Sequence, residues 1–517
     1  MDQKTKKDFR AFQFIKNIFS NAAYFVINLV ASFWFTPYLK NSLGLDLYGL
    51  IPLATSVTNY LKILTTNVSS AGNRFLSVRL HKENVKEANE IFNTTFVITL
   101  SIIVISIPIS ILLIVFSPKL FNVPQNYDRA VQVLFVMTVT AFFVNTLRSN
   151  FAVATFHRNR YDLRNIIYLL ARLGQIGIVV LLFVVFKPNL FFAGVSLLFS
   201  ALVGFCGEYF FWRKLTPELK VDFSYFSKST LKSILNTSLW LLVLSLGYML
   251  YSNIEMVAAN RLLPITVAGM YGALITVPNN ILAMGGTVNG IWSPAILSKY
   301  SRSDVQGVVD ISTIAMKLSG LTIALPIGYI CGVAGPFLDL WLGPEFVNMK
   351  WVMVLMAFPL CMRLTVSPLH SINVIYNKVK IPALVTLMIG ILNIVVVFVL
   401  GKSFGAIGIA LSSVIVITLR EVLFTPVYAA RLIERPWWIF IRTILKVCVL
   451  TLAVGALTFG FVQTFQFHSL VQLFILGLLV SVIYIAVVYF FMISDQEKEI
   501  VLGVVQKNLK PIMDKRS

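Results

Sequence analysis

Ile91 to Phe116 reads IFNTTFVITLSIIVISIPISILLIVF, without a single Asp, Glu, Lys, Arg or His. About 20 mostly apolar residues are enough for a helix to cross roughly 30 Å of hydrocarbon, and this run is longer than that. A core strand or helix of a soluble domain has no need of so long an uncharged stretch. The segment is read as a membrane span.

The pattern recurs along the 517-residue chain, with spans expected near 20–39, 48–70, 91–116, 130–155, 165–186, 190–212, 234–258, 266–292, 311–334, 350–375, 381–401, 405–430, 441–464 and 469–493. Composition agrees. Hydrophobic residues make up 57% and charged residues 13%, roughly half the charged share of an ordinary soluble domain. The expected fold class is an all-α polytopic membrane protein of about 14 transmembrane helices. No stretch between spans is long enough to build a nucleic-acid-binding domain. The formal charge of +21 is therefore read as membrane topology. With a cytoplasmic N-terminus, the outer loops hold only Lys40, Lys119, Arg129, Lys187, Arg261, Lys350 and Lys402. Most other basic residues fall on the cytoplasmic side, as positive-inside topology requires, and an even number of spans returns the C-terminus there. The first span follows a basic start but shows no small-residue cleavage site, so it is expected to be retained.

The longest link, from Arg213 to about Ser233, follows the sixth span. Around it the sequence echoes itself. Leu47-Tyr48-Gly49 matches Met270-Tyr271-Gly272, Asn159-Arg160 matches Asn377-Lys378, and Gln175 and Asn393 follow at equal distances. Such pairings predict two six-helix lobes related by duplication: residues 1–220, then 221–432, with two further helices and a cytoplasmic tail over 433–517.

Polar residues form stripes at helical spacing. Span two carries Thr55, Asn59, Lys62, Thr66, Ser69 and Asn73, and span four carries Thr138, Ala141, Asn145, Arg148, Ala152 and Thr155. Span seven has Ser238, Ser245, Tyr248, Ser252 and Glu255; span eight has Gly269, Ala273, Thr276, Asn280, Thr287 and Gly290; span ten has Pro359, Arg363, Ser367, His370 and Asn377. Small and hydroxyl residues also make helix–helix contacts, the simpler reading for Gly286-x-x-x-Gly290 and Gly328-x-x-x-Gly332. Charge separates the two readings. Lys62, Arg148, Arg172, Lys317, Arg363 and Arg420 lie deep in spans, against only Glu208, Glu255 and Glu421. Each cation costs roughly 2.5–3.5 kcal/mol on insertion scales, and the anions are too few to pair them all. A hydrated, positive interior for an anionic solute follows, with Arg148 and Arg363 at similar depth in repeat-related spans. Arg420, beside Glu421, is expected to be partly neutralised. Glu255 is either a coupling site for a cation or the partner of a cavity arginine.

Catalytic signatures are missing. No complete Walker A loop, His-Glu-x-x-His zinc pair or Gly-x-Ser-x-Gly elbow is present, and no cofactor is implied. The outer loop from Gly335 to Met349 is short for a membrane glycan polymerase, so an enzyme is not expected. Cys206, Cys331, Cys361 and Cys448 each stand alone in apolar runs and are read as small core residues rather than disulfide or metal partners.

Thr36-Pro-Tyr-Leu-Lys-Asn-Ser-Leu-Gly44-Leu-Asp-Leu-Tyr48-Gly49, Ser70-Ala-Gly72-Asn-Arg74-Phe-Leu-Ser, Leu340-Trp341-Leu342-Gly343 and Gly408-Ile-Ala-Leu resemble bacterial polysaccharide exporters. These are the O-antigen and capsule repeat-unit flippases of the multidrug/oligosaccharidyl-lipid/polysaccharide superfamily. The resemblance implies a V-shaped pair of lobes in the bacterial inner membrane. It also implies a cargo of oligosaccharide on undecaprenyl diphosphate, with a polysaccharide polymerase and glycosyltransferases as partners. On that reading Arg148, Arg363, Lys62, Arg172 and Lys317 meet phosphate, Asn59, Asn145 and Asn280 meet sugar, and Glu255 couples an ion. A carrier of peptidoglycan precursor is the alternative. A cation-coupled drug antiporter fits less well, since drug-exporting relatives often place an acid in the first helix and this span one has none.

Overall fold

The computed structural model describes residues 3–81, 84–289 and 292–494. The side chains of Thr66, Ser238 and Thr287, the residue Gly290 and the expected C-terminal tail lie outside what is described. Among the described residues there is no strand, and the main helices are α1 (Gln3–Leu43), α2 (Leu50–His81), α3 (Val85–Leu120), α4 (Asp128–Phe151), α5 (Tyr161–Val185), α6 (Leu190–Leu215), α7 (Lys228–Leu262), α8 (Ile265–Gly286), α9 (Val305–Gly332), α10 (Pro344–Val366), α11 (Lys380–Leu432), α12 (Trp438–Thr464) and α13 (Leu470–Met492). All but α2 belong to the 12 described stretches long and apolar enough to cross a membrane. The 53-residue α11 contains two expected spans, divided where Gly405 takes φ 59°, a left-handed conformation that suits glycine. The chain is a multi-pass, all-helical membrane protein.

It divides into two compact units, one up to Leu246 and one from Gly247. The expected lobe boundary near residue 220 comes ahead of this division, which falls within α7. In the first unit, glycine sets the closest approaches: a Cβ on Gly72 would lie 2.4 Å from Thr95 of α3, and one on Gly207 would lie 2.9 Å from Ile167 of α5. Aromatic rings close one end, with Phe92 stacked on Trp212 at 5.5 Å and Phe151 edge-on to Phe205 at 5.7 Å. The link after α6 is pinned down by two asparagines one helical turn apart. Asn89 donates to the Glu218 carbonyl (3.0 Å) and accepts from the Lys220 amide (2.8 Å). Asn93 repeats this on the Lys220 carbonyl and the Asp222 amide, both at 2.8 Å. Each side-chain amide thus pairs with an otherwise unpaired backbone group.

In the second unit α9 and α12 meet through small residues. A Cβ on Gly328 would lie 2.5 Å from the Thr451 carbonyl, and one on Gly332 would lie 1.7 Å from Thr458 Oγ1, so Gly328-x-x-x-Gly332 is a packing face. Gly286 is not: nothing lies within 4 Å of its Cβ position, and the close contact belongs to Gly285, against Leu364. α13 docks on α9 through Tyr484, whose hydroxyl donates to the Leu321 carbonyl at 2.6 Å. One expectation about cysteine fails: Cys206, read as a core residue, is exposed, while all four thiols are free. The Sγ atoms of Cys361 and Cys448 lie 3.7 Å apart, because α10 and α12 cross there, a proximity that 87 residues of separation conceal. Cys206 and Cys331 stay single.

Two residues of the internal echo share a backbone turn. Asn159 (φ 52°) and Asn377 (φ 53°) both take left-handed backbone, and the residue after each donates its amide five residues back at 2.8 Å, Arg160 to Thr155 and Lys378 to Asn373. Asparagine tolerates that conformation better than most side chains. The second unit repeats this turn elsewhere, at Ser303 (φ 56°) with the Asp304 amide on Lys299 and at Glu434 (φ 54°) with the Arg435 amide on Ala430.

Each paired asparagine withholds buried backbone groups from solvent, so its loss should cost about 1–3 kcal/mol. The double substitution N89A/N93A is expected to expose the link around residues 216–227 to limited proteolysis while the wild-type link resists. Equal resistance would show that the asparagines do not hold it.

Candidate functional site

The stripes of α2 and α4 meet. Thr55, Asn59, Lys62, Ser69 and Asn73 from α2 and Thr138, Ala141, Asn145, Arg148 and Ala152 from α4 line one cavity of about 500 Å³, closed by residues of α5 and α6. The 3.6-residue repeat puts every third or fourth residue on the same face, and the two faces look at each other. Their hydroxyls and amides are partly satisfied within their own helices: Thr55 donates to the Ile51 carbonyl at 3.0 Å and Asn145 to the Ala141 carbonyl at 2.9 Å. Ser69 and Ser149 join α2 to α4 at 2.8 Å. Thr155, the last member of its stripe, instead turns to Glu208.

Arg148 projects across the cavity, its guanidinium carbon 5.0 Å from the ring centre of Tyr168. Gly204 makes this possible, since a Cβ there would lie 2.1 Å from Arg148 Nη1. Arg164 approaches the same ring at 5.2 Å and donates from Nε to the Tyr168 hydroxyl at 2.8 Å. Among the described residues neither arginine is ion-paired. Cation–π contact compensates a buried guanidinium without neutralising it. Three cations therefore share the cavity lining, and the acid behind the wall is Glu208, which accepts from Thr155 at 3.4 Å.

Arg164, Tyr168 and the aromatic pair Phe142 and Phe156 were not among the expected site residues. Arg164 and Tyr168 are one turn apart on α5 with Arg172 a further turn on. That spacing was a usable signal, but starting the span at residue 165 left Arg164 outside it. Arg172 itself is absent from the cavity lining. It donates to Gln175 (2.9 Å) and Ser32 (3.3 Å) and lies over Phe35, held between α5 and α1.

In the second unit Arg363 donates to Ser252 at 3.3 Å and lies 5.3 and 5.7 Å from the rings of Tyr251 and Tyr248. Like Arg148 it touches aromatic rings and, among the described residues, bonds no acid. Arg420 meets the opposite fate: 1% exposed, it pairs with Glu421 at 3.1 Å and donates to Thr386 at 2.7 Å. His370 reaches Glu421 at 3.3 Å and Tyr248 at 3.2 Å. A π-helical turn, Thr418–Phe424, places the consecutive Arg420 and Glu421 both inside. Glu255 accepts from Tyr271 (2.7 Å) and Ser413, two hydroxyls and no arginine. Asn280 donates back to the Thr276 carbonyl of its own helix. Lys317 lies apart, in a groove it shares with Lys446.

Comparison with known proteins agrees with this architecture. A family model described as "Polysaccharide biosynthesis protein" matches residues 14–295, and the chain belongs to that family. It is 29% identical over 503 residues to the "Uncharacterized membrane protein EpsK" of Bacillus subtilis (strain 168), covering 95% of this chain and 97% of that protein. Among solved structures it resembles an inward-facing multidrug resistance MATE family transporter of the MOP superfamily (TM-score 0.59, 14% identity, 80% of this chain and 96% of that one). It also resembles the lipid II flippase MurJ in an inward closed conformation (TM-score 0.57, 14% identity, 92% and 98%). At these identities the likeness is one of fold.

Gly204 is the residue whose substitution most selectively disturbs the site. Gly204→Val should push the Arg148 guanidinium off its position and lower polysaccharide output as severely as Arg148→Ala, with the membrane level of the protein unchanged. Normal polysaccharide output by the valine variant at normal abundance would show that the position of Arg148 is immaterial.

Proposed function

We propose that this chain flips oligosaccharide repeat units linked to undecaprenyl diphosphate across the bacterial inner membrane, by alternating exposure of its polar interior, in the synthesis of a surface polysaccharide. The observation that carries the reading is the convergence of Lys62, Arg148 and Arg164 on one cavity otherwise lined by amides and hydroxyls. Guanidinium forks match phosphate oxygens, and lysine adds a point charge. Asn59, Asn145 and the threonines suit sugar hydroxyls, and Tyr168 offers a face to a sugar ring. A lipid tail has no place among such groups and would remain in the bilayer.

Arg363 is assigned the equivalent role in the second unit on the strength of its matching aromatic setting. Arg172, Lys317 and Asn280 are left out of the proposed site because they are absent from the cavity lining. Glu255, with two hydroxyl donors around it, is assigned to ion coupling. Both termini are placed in the cytoplasm on the charge bias of the loops, and a polymerase and glycosyltransferases are the natural partners for such a cargo. A peptidoglycan lipid precursor presents the same diphosphate and fits the same cations. The intermediate that accumulates on the cytoplasmic leaflet after gene deletion separates the two.

Losing one charge-assisted contact costs about 1.5–3 kcal/mol, a factor of roughly 10 or more in cargo affinity. Arg148→Ala and Arg363→Ala are each expected to abolish export at normal protein level, read as surface polysaccharide per cell. Full polysaccharide in both variants overturns the cationic site. Glu255→Gln is expected to remove the dependence of transport on the proton or sodium gradient. A gradient dependence identical to wild type dismisses it from coupling.

A further inference from the structure

Glu208 is fully buried on α6. Its Oε1 has no hydrogen-bond partner, and its Oε2 has a single long one, the Thr155 hydroxyl at 3.4 Å. An ionised carboxylate in such a place is costly, and intramembrane acids of this kind mark functional positions more often than packing. Only two things relieve the cost: a guanidinium brought within reach, or a proton.

Both are at hand. The cations acting on Glu208 are Arg164 and Arg148, and Arg148 lies across Gly204, one turn before Glu208 on the same face of α6. In this structure neither is bonded to the carboxylate. Both stand at Tyr168 instead. The elements packed against α6 also carry Lys62 of α2, His157 of the short helix Val153–His157, and Tyr161 and Tyr168 of α5. None is bonded to it. Glu255 is held differently, both of its oxygens already accepting from hydroxyls, those of Tyr271 and Ser413.

Resting on the reading that cargo phosphates occupy Arg148 and Arg164, we propose that Glu208 is a proton-exchange site coupled to cargo binding. When phosphate draws both guanidiniums into the cavity, the carboxylate takes one proton from cavity water. When phosphate leaves and the guanidiniums swing back toward Glu208, the proton is returned. No other bond forms or breaks. The positive charge that attracts the cargo is thereby matched, in the unloaded site, by a carboxylate that withdraws by becoming neutral.

Linkage makes this measurable, since a proton taken up on binding must in turn tighten binding as pH falls. The probe is farnesyl diphosphate, a short prenyl diphosphate, with the purified full chain in detergent and the probe's own titration measured in parallel and subtracted. In wild type, affinity is expected to fall by up to about tenfold per pH unit over the range where about one proton is taken up. Glu208→Gln, permanently neutral, should bind more tightly than wild type and lose that slope. Glu208→Asp retains a titrating group and should restore the slope with its midpoint moved. A slope unchanged in Glu208→Gln overturns the proposal, and so does a wild-type protein that binds the probe without taking up a proton, whether or not the glutamine variant folds. Failure of wild type to bind, or undiminished binding by Arg148→Ala and Arg164→Ala, removes the cationic site itself and the proton with it. Binding that needs the arginines but is indifferent to Glu208 removes only the proton.

Discussion

A cation at membrane depth must be compensated by an acid, by an aromatic face or by water, and this chain uses the three unequally. Arg420 receives the first kind of treatment: Glu421 beside it, Thr386 and Thr425 around it and His370 behind the acid make a closed polar network. Breaking such a pair on one side would strand a charge. Arg148, Arg164 and Arg363 receive the second, standing beside tyrosines without an acid in bonding contact. An aromatic face offsets part of the cost of burial and leaves the charge available. Arg420 also lies 4.8 Å from the Tyr248 ring, so its bonded acid sets it apart, and the proposed function gives a binding role only to the other three.

Keeping such charges in place falls to residues that contribute no charge of their own. Gly204 gives Arg148 room to cross α6. The π-helical turn in α11 performs the corresponding task for Arg420 and Glu421, since consecutive residues of a regular helix point about 100° apart and one of the two would tend outward. Insertions of this kind are common at functional positions. Here the insertion serves burial of an ion pair.

The parts of the site that could be read in the sequence were those repeated within one helix. Thr55, Asn59, Lys62, Ser69 and Asn73 share a face because of helical geometry alone, and so do Thr138, Asn145 and Arg148. That the two faces oppose each other is tertiary, yet two polar faces at membrane depth have few other partners. Relations between helices distant in sequence were hidden: His370 with Glu421, Glu255 with Tyr271 and Ser413, Cys361 with Cys448. Arg172 shows the opposite failure. Its depth and spacing resembled those of a cavity residue, but its turn of α5 faces Ser32 and Phe35. Nothing in local pattern distinguishes one inward face from another. Arg164 was lost to the uncertainty of a span edge, where a few residues decide between loop and membrane.

The sequence echo reaches the backbone at one pair of turns and does not extend to the chemistry. Asn159 and Asn377 build the same left-handed turn, and Tyr48 and Tyr271 are both buried. Nevertheless, the first unit keeps a cavity with three lining cations and one withdrawn acid, whereas the second confines its acids to bonded networks. Turns of this kind persist because few residues tolerate the conformation. Side chains facing a hydrated interior are freer to change, since water tolerates many substitutions that a packed helix interface does not. On the proposed function, Lys62, Arg148 and Arg164 of the first unit and Arg363 of the second stay available to a headgroup, while Arg420 and Glu421 hold helices of the second unit together. If the proposed function holds, differences in cargo among relatives should be recorded in the lining of the first unit's cavity.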